Sequence, residues 1–132
     1  MTRLCLDTSA FSFWQRGHPE CNSILDQSRD VGMPAISLGE LRAGFRLGNR
    51  EEKNEQELRE FLAIPYVRVL AVDEEVAEHY AQIVADLTRA GTPLPTNDIW
   101  IAALALREGA TLLTFDEHFR LIPRVGVHFL RP

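Results

Sequence analysis

The sequence predicts an α/β fold: one domain over residues 1–132, built on a central, mainly parallel β-sheet with helices on both faces. Three observations carry this. Short apolar runs recur along the chain and alternate with longer segments of helical periodicity. The runs are continuously apolar instead of alternating with polar residues, as strands covered on both faces require. A chain of 132 residues is the size of one domain and needs no disulfide or metal to complete its core.

Each element follows in order. Leu4-Cys5-Leu6 is a short strand that ends at Asp7, and Ala10-Phe11-Ser12-Phe13-Trp14 begins a helix that Gly17-His18-Pro19 breaks. Ile24 and Leu25 sit in a helix-compatible stretch over 20–29. Met33-Pro34-Ala35-Ile36 reads as a second strand, and Ser37-Leu38-Gly39-Glu40 has the form of a capping box, which places Glu40 in the first turn of the next helix. Leu38, Leu41 and Phe45 recur at helical spacing until Gly48-Asn49. A charged helix follows over 50–63, with Leu58, Phe61 and Leu62 as its apolar positions. A third strand spans 67–72, and Asp73 is a good N-cap for a helix whose inner face is Val76, Tyr80, Ile83, Val84 and Leu87 and which stops at Gly91. Residues 97–108 form a buried apolar helix ending at Gly109, Thr111-Leu112-Leu113-Thr114 a fourth strand, 116–121 a short turn or helix, and 125–129 a last strand. Strand order does not follow from these spacings.

Composition excludes several classes. With 45% hydrophobic and 25% charged residues the chain is not disordered. Its longest apolar run, residues 99–106, is far short of the roughly 20 residues that span a bilayer. Asp7 interrupts the N-terminal apolar stretch before it could serve as a signal-peptide core, so a cytoplasmic protein without membrane attachment is expected. Cys5 and Cys21 form no CxxC pair, which argues against zinc and against a dithiol redox site. A net charge of −5 excludes nucleic-acid binding through bulk charge. The distribution matters more: of 14 basic residues only Lys53 is a lysine, and arginine favours bidentate contact with phosphate and carboxylate.

Four carboxylates stand out by position. Asp7 follows the first strand, Glu40 lies in the helix after the second, Asp98 opens the buried helix, and Asp116 lies two residues past the fourth strand. In an open α/β sheet, sites form beyond the carboxyl ends of the strands, so all four acids are expected at one edge. Each has a local explanation as a cap or a helix-dipole partner. Together, four anions in a partly desolvated cleft repel one another and need compensation, which helix N-termini and hard divalent cations supply. Oxygen-only donors point to Mg2+ or Mn2+.

The local words are Leu4-Cys5-Leu6-Asp7-Thr8-Ser9, then Glu40, then Asn97-Asp98-Ile99-Trp100-Ile101-Ala102-Ala103, then Thr111-Leu112-Leu113-Thr114-Phe115-Asp116-Glu117-His118-Phe119. In these the chain resembles the PIN-domain family, and within it the VapC ribonuclease toxins of toxin–antitoxin pairs, over residues 4–129. The resemblance implies a three-layer α/β/α sandwich and a Mg2+- or Mn2+-dependent endoribonuclease acting through metal-activated water. It implies that Asp7 and Asp98 are the principal metal ligands, that Glu40 and Asp116 complete the catalytic and metal-binding acids, and that Thr8, Ser9, Asn97 and Thr114 support the pocket. It further implies a homodimer and a VapB-like antitoxin that inserts a basic residue near the acids. Hydrolysis of this kind leaves a 5′-phosphate and a 3′-hydroxyl. The alternatives are a PIN nuclease in RNA processing outside such a pair, and a non-catalytic metal-binding signalling or binding module.

The remaining polar features read mostly as surface. Arg42 and Arg46, one helical turn apart, and Arg124 are candidates for contact with RNA or a partner; their plainer role is pairing with nearby acids. Arg120 and Arg131 could flank the same edge. His118, two residues past Asp116, could approach the pocket; its plainer reading is a surface residue on a turn. Phe11, Phe13 and Trp14 read as core, and Glu51, Glu52, Glu55, Glu57 and Glu60 as a solvated face.

Overall fold

The computed structural model describes residues 3–132. The elements are β1 (Leu4–Leu6), α1 (Thr8–Gln15), α2 (Pro19–Asp26), β2 (Val31–Pro34), α3 (Ala35–Leu47), α4 (Glu51–Leu62), β3 (Val67–Leu70), α5 (Glu74–Ala90), α6 (Thr96–Glu108), β4 (Thr111–Thr114), a 3-10 helix (Glu117–Leu121) and β5 (Val127–Phe129). The five strands form one sheet in the order β3-β2-β1-β4-β5, with every pairing parallel. The expected mainly parallel sheet is thus parallel throughout among the described residues.

Residues alternate across the strands, so neighbours feed opposite layers. Leu4, Leu6, Val31, Met33 and Leu113 pack with α1 to α4, whereas Cys5, Leu70 and Leu112 pack with α5, α6 and Phe119 of the 3-10 helix. Two cores flank the sheet, which makes the three-layer α/β/α sandwich.

Several element boundaries shift from their sequence-based positions, for identifiable reasons. β2 runs over Val31–Pro34, because Val31 is in register with both Leu4 of β1 and Val67 of β3. Helix α3 therefore starts at Ala35, and Pro34 occupies its N-cap with no side-chain cap bond. The capping box read at Ser37 does not form. Ser37 lies inside the helix, fully buried, and donates its hydroxyl to the Leu6 carbonyl at 3.3 Å. Glu40 consequently sits in the second turn of α3, not the first. Helix α1 starts at Thr8, because Asp7 caps it by accepting from the Ala10 amide at 2.9 Å. β3 ends at Leu70; the next carbonyl, Ala71, accepts from Arg107 at 2.7 Å instead of pairing in the sheet. Asp73 and Gly91 bracket α5 as read, the glycine in the left-handed conformation at φ 71°.

Candidate active site

The site is built from the ends of β1 and β4 outward. These strands are paired, with Leu6 opposite Leu113, so the residues that follow them emerge side by side at the carboxyl edge. Asp7 is 4% exposed there. Its Oδ1 accepts from the Ala10 amide at 2.9 Å and from Ser9 Oγ at 2.8 Å, and its Oδ2 accepts from Thr114 Oγ1 at 2.7 Å. Thr114, fully buried, in turn accepts from the Asp116 amide at 2.9 Å. Ser9 Oγ also accepts from the Phe115 amide at 3.1 Å. One hydroxyl on each strand end thus ties the Asp7 and Asp116 segments together.

The other two acids arrive on helices. Glu40 of α3 accepts from Thr8 Oγ1 at 2.6 Å and from Asn97 Nδ2 at 3.4 Å. Asn97 precedes Asp98, in the first turn of α6. Asp116 caps the 3-10 helix, accepting from the His118 amide at 2.9 Å and facing His118 Nδ1 at 2.9 Å.

Electrostatics shows that these groups share a site. Asp98 is pushed up to about 6, by partial burial and by the charges of Asp116, Glu40 and Asp7, with His118 opposing. Burial also raises Asp7 above the ordinary carboxylate range, while the bonds from Thr114, Ala10 and Ser9 oppose the rise. Asp98 therefore registers all three other acids, and the expected gathering at one edge is what the chain forms.

The donor set suits a hard divalent cation: four carboxylates, no sulfur, and mutual repulsion that a cation would relieve. Among the described residues no three His, Cys, Asp or Glu side chains are grouped closely enough to hold a metal ion as they stand. Asp7, Glu40 and Asp116 are each oriented by hydroxyl, amide or imidazole donors. Both cysteines are buried free thiols on the core side of the sheet and of α2.

Of the arginines named from sequence, Arg42, Arg46 and Arg124 sit in ion pairs, and among the described residues Arg120 and Arg131 do not. Arg42 makes a bidentate contact with Glu55 of α4 at 3.0–3.3 Å, Arg46 lies 3.5 Å from Glu51, and Arg124 lies 2.6 Å from Asp86 of α5. His118 is exposed, as read, and its spacing of two from Asp116 does bring its ring beside that acid. Phe115 is an omission: it leads directly into Asp116 and stacks on Phe13 at 4.1 Å.

Comparison with known proteins agrees with this geometry. The PIN domain family model matches residues 4–125. Ribonuclease VapC4 of Mycobacterium tuberculosis is 34% identical over 96 residues, which are 73% of this chain and 74% of that protein. The tRNA(fMet)-specific endonuclease VapC of Salmonella typhimurium is 30% identical over 131 residues, covering 96% and 97%. The crystal structure of DNA-bound VapBC from Salmonella typhimurium superposes with a TM-score of 0.86 at 29% identity, over 97% of this chain and 98% of that one. A parallel sheet with its acids at the carboxyl edge, matched along nearly its whole length, places this chain in the PIN-domain family, among relatives of the VapC type.

Proposed function

We propose that the protein is a divalent-metal-dependent endoribonuclease and the toxin of a VapBC-like toxin–antitoxin pair, working in the cytoplasm. The observation that carries the chemistry is the meeting of Asp7, Glu40, Asp98 and Asp116 from four different elements, with Asp98 sensing the charge of the other three. The likeness to named ribonucleases and to VapBC complexes supports the substrate class and the partner. In this reading an antitoxin delivers a basic residue to the acids, and the toxin pairs as a homodimer.

Asp7 and Asp98 would be the principal ligands for Mg2+ or Mn2+, with Glu40 and Asp116 beside them. When bound, the cation neutralises phosphate charge and lowers the pKa of water in the site. The chain's own groups prepare that site. Ser9, Thr114 and the Ala10 amide fix both oxygens of Asp7, so the carboxylate does not reorganise when substrate arrives. Thr8 and Asn97 hold the two oxygens of Glu40, and His118 holds Asp116. Water attacks the phosphorus in line, the P–O3′ bond breaks, and the 3′ oxygen leaves as a hydroxyl after taking a proton.

Product ends test this directly. RNA cut by the purified chain in Mg2+ is expected to carry 5′-phosphate and 3′-hydroxyl ends. A 2′,3′-cyclic phosphate would show that the 2′-hydroxyl is the nucleophile and would rule the hydrolytic mechanism out.

A further inference from the structure

Beside the acids lies a run of cationic and aromatic side chains that the catalytic reading does not use, and of which Phe115 also packs against the core. Its links are direct contacts. Phe115, adjacent to Asp116, stacks on Phe13 with centroids 4.1 Å apart, and the Arg16 guanidinium covers the Phe13 ring at 4.3 Å. On the other side the His18 ring meets Phe115 edge-on at 4.8 Å, and His18 Nε2 lies 2.9 Å from the carbonyl oxygen of Arg131. The Arg131 and Arg120 guanidinium groups then sit over Phe129, at 5.3 and 5.5 Å. Arg120 and His118, with Glu117 and Leu121, line a cavity of about 380 Å³ on the 3-10 helix, and His118 closes the path back to Asp116.

The run lies at the carboxyl edge, because Phe129 is opposite Thr114 in the β4–β5 register and Thr114 holds Asp7. Its arginines differ from most others in the chain. Arg3, Arg42, Arg46, Arg59, Arg68, Arg107 and Arg124 are all paired with carboxylates. Among the described residues, Arg16, Arg120 and Arg131 pair with none and rest on aromatic faces instead. Their charge is therefore available to an anion, and each guanidinium lies over an aromatic ring.

Resting on the nuclease reading above, we infer that this run is the track for single-stranded RNA leading into the acidic site, with Arg16, Arg120 and Arg131 on the phosphates and the cavity at His118 and Arg120 holding one nucleotide. Guanidinium charge meets phosphate, and guanidinium and aromatic planes offer stacking surfaces to bases that are not paired. The cavity is within the range of small-ligand sites, about 300–1,000 Å³. A duplex, whose bases are already stacked on each other, fits this chemistry poorly.

The test measures binding of a fluorescein-labelled 12-nucleotide oligouridylate, and of the same strand in an RNA duplex, to the full chain with Ca2+ in place of Mg2+, across a salt series. Cleavage kinetics on total RNA in Mg2+ run in parallel. Wild type is expected to bind the single strand more tightly than the duplex. Arg120→Ala and Arg131→Ala are each expected to weaken binding about 3–10-fold, raise KM with kcat unchanged, and reduce the slope of log K against log salt by about 0.7, one phosphate contact on a single strand. Arg120→Lys keeps the charge and loses the planar guanidinium, so it should retain the salt slope and recover only part of the affinity. Arg29→Ala, beside the amino end of β2 at the opposite sheet edge, should change nothing. Thermal melting confirms that each variant is folded. RNA that is cut with unchanged KM by both Arg120→Ala and Arg131→Ala would remove the track and leave the nuclease. RNA that is held through these arginines and never cut would remove the nuclease reading and leave the track.

Discussion

Thr114 is the smallest unit on which the site depends. Its hydroxyl donates to Asp7 and accepts from the Asp116 amide, from a fully buried position. Thr114→Val keeps the shape and removes both bonds, leaving a buried carboxylate oxygen and an amide short of partners. Such a loss costs about 1–3 kcal/mol, expected as a lower urea midpoint, and cleavage should fall with it. Asp98 behaves in the opposite sense. Its folded pKa of about 6 lies above the ordinary 3.8, so the folded state binds a proton more tightly than the unfolded chain does. The destabilisation is absent below pH 4, grows between pH 4 and 6, and is complete above pH 6. In EDTA at pH 7.5, Asp98→Asn should therefore melt higher than wild type, by about 1 kcal/mol after allowance for solvent screening, while losing activity. The gain should vanish near pH 4, and an equal gain at both pH values would contradict the charge-repulsion account. At this scale the four acids were legible because each stands at a strand end or in an early helical turn. The partners of Arg42 and Arg124 were not, because Glu55 and Asp86 come from other helices and meet them only through tertiary packing.

Elements show why local signals partly misled. Ser37-Leu38-Gly39-Glu40 has the form of a helix start, yet the sheet register begins β2 at Val31 and lets α3 start at Ala35. Tertiary pairing overrode the cap, and the serine became a buried link to the Leu6 carbonyl, next to the strand end that carries Asp7. The shift by less than a turn still leaves Glu40 facing Thr8. Asp7, Asp73 and Asp116 do cap their helices, whereas Ser37 lies inside one that has already begun at Ala35. The β2–β3 pairing depends on Gly32, where a Cβ would lie 2.5 Å from Leu70 Cδ1. Gly32→Ala must displace that leucine, which is 2% exposed, and should cost about 1–3 kcal/mol in chemical denaturation. An unchanged midpoint would mean that the second core accommodates the methyl group freely.

For the whole molecule, sheet order decides where chemistry falls. With β1 central in β3-β2-β1-β4-β5, Asp7 stands in the middle of the carboxyl edge, flanked by α3 on one side and the β4 exit on the other. The amino edge is tied by charge instead: Arg68 bridges Asp30 and Glu108, and Arg3 pairs Asp30. A chain of net charge −5 thus keeps most of its arginines in internal pairs and gathers acids at one edge. Continuous apolar runs made the α/β class and the parallel sheet readable. The order of the strands was not, since crossovers of similar length serve several orders. Among the described residues no helix is long and apolar enough to cross a membrane. The central claim is that the four acids form one divalent-cation nuclease centre. Its most direct test maps new 5′ ends by sequencing after total cellular RNA meets the purified chain in Mg2+, beside Asp7→Asn, Asp98→Asn and an EDTA control. New 5′-phosphate ends in wild type alone are the predicted result. The same ends from wild type, both variants and the EDTA sample would contradict it, and so would no new ends from wild type.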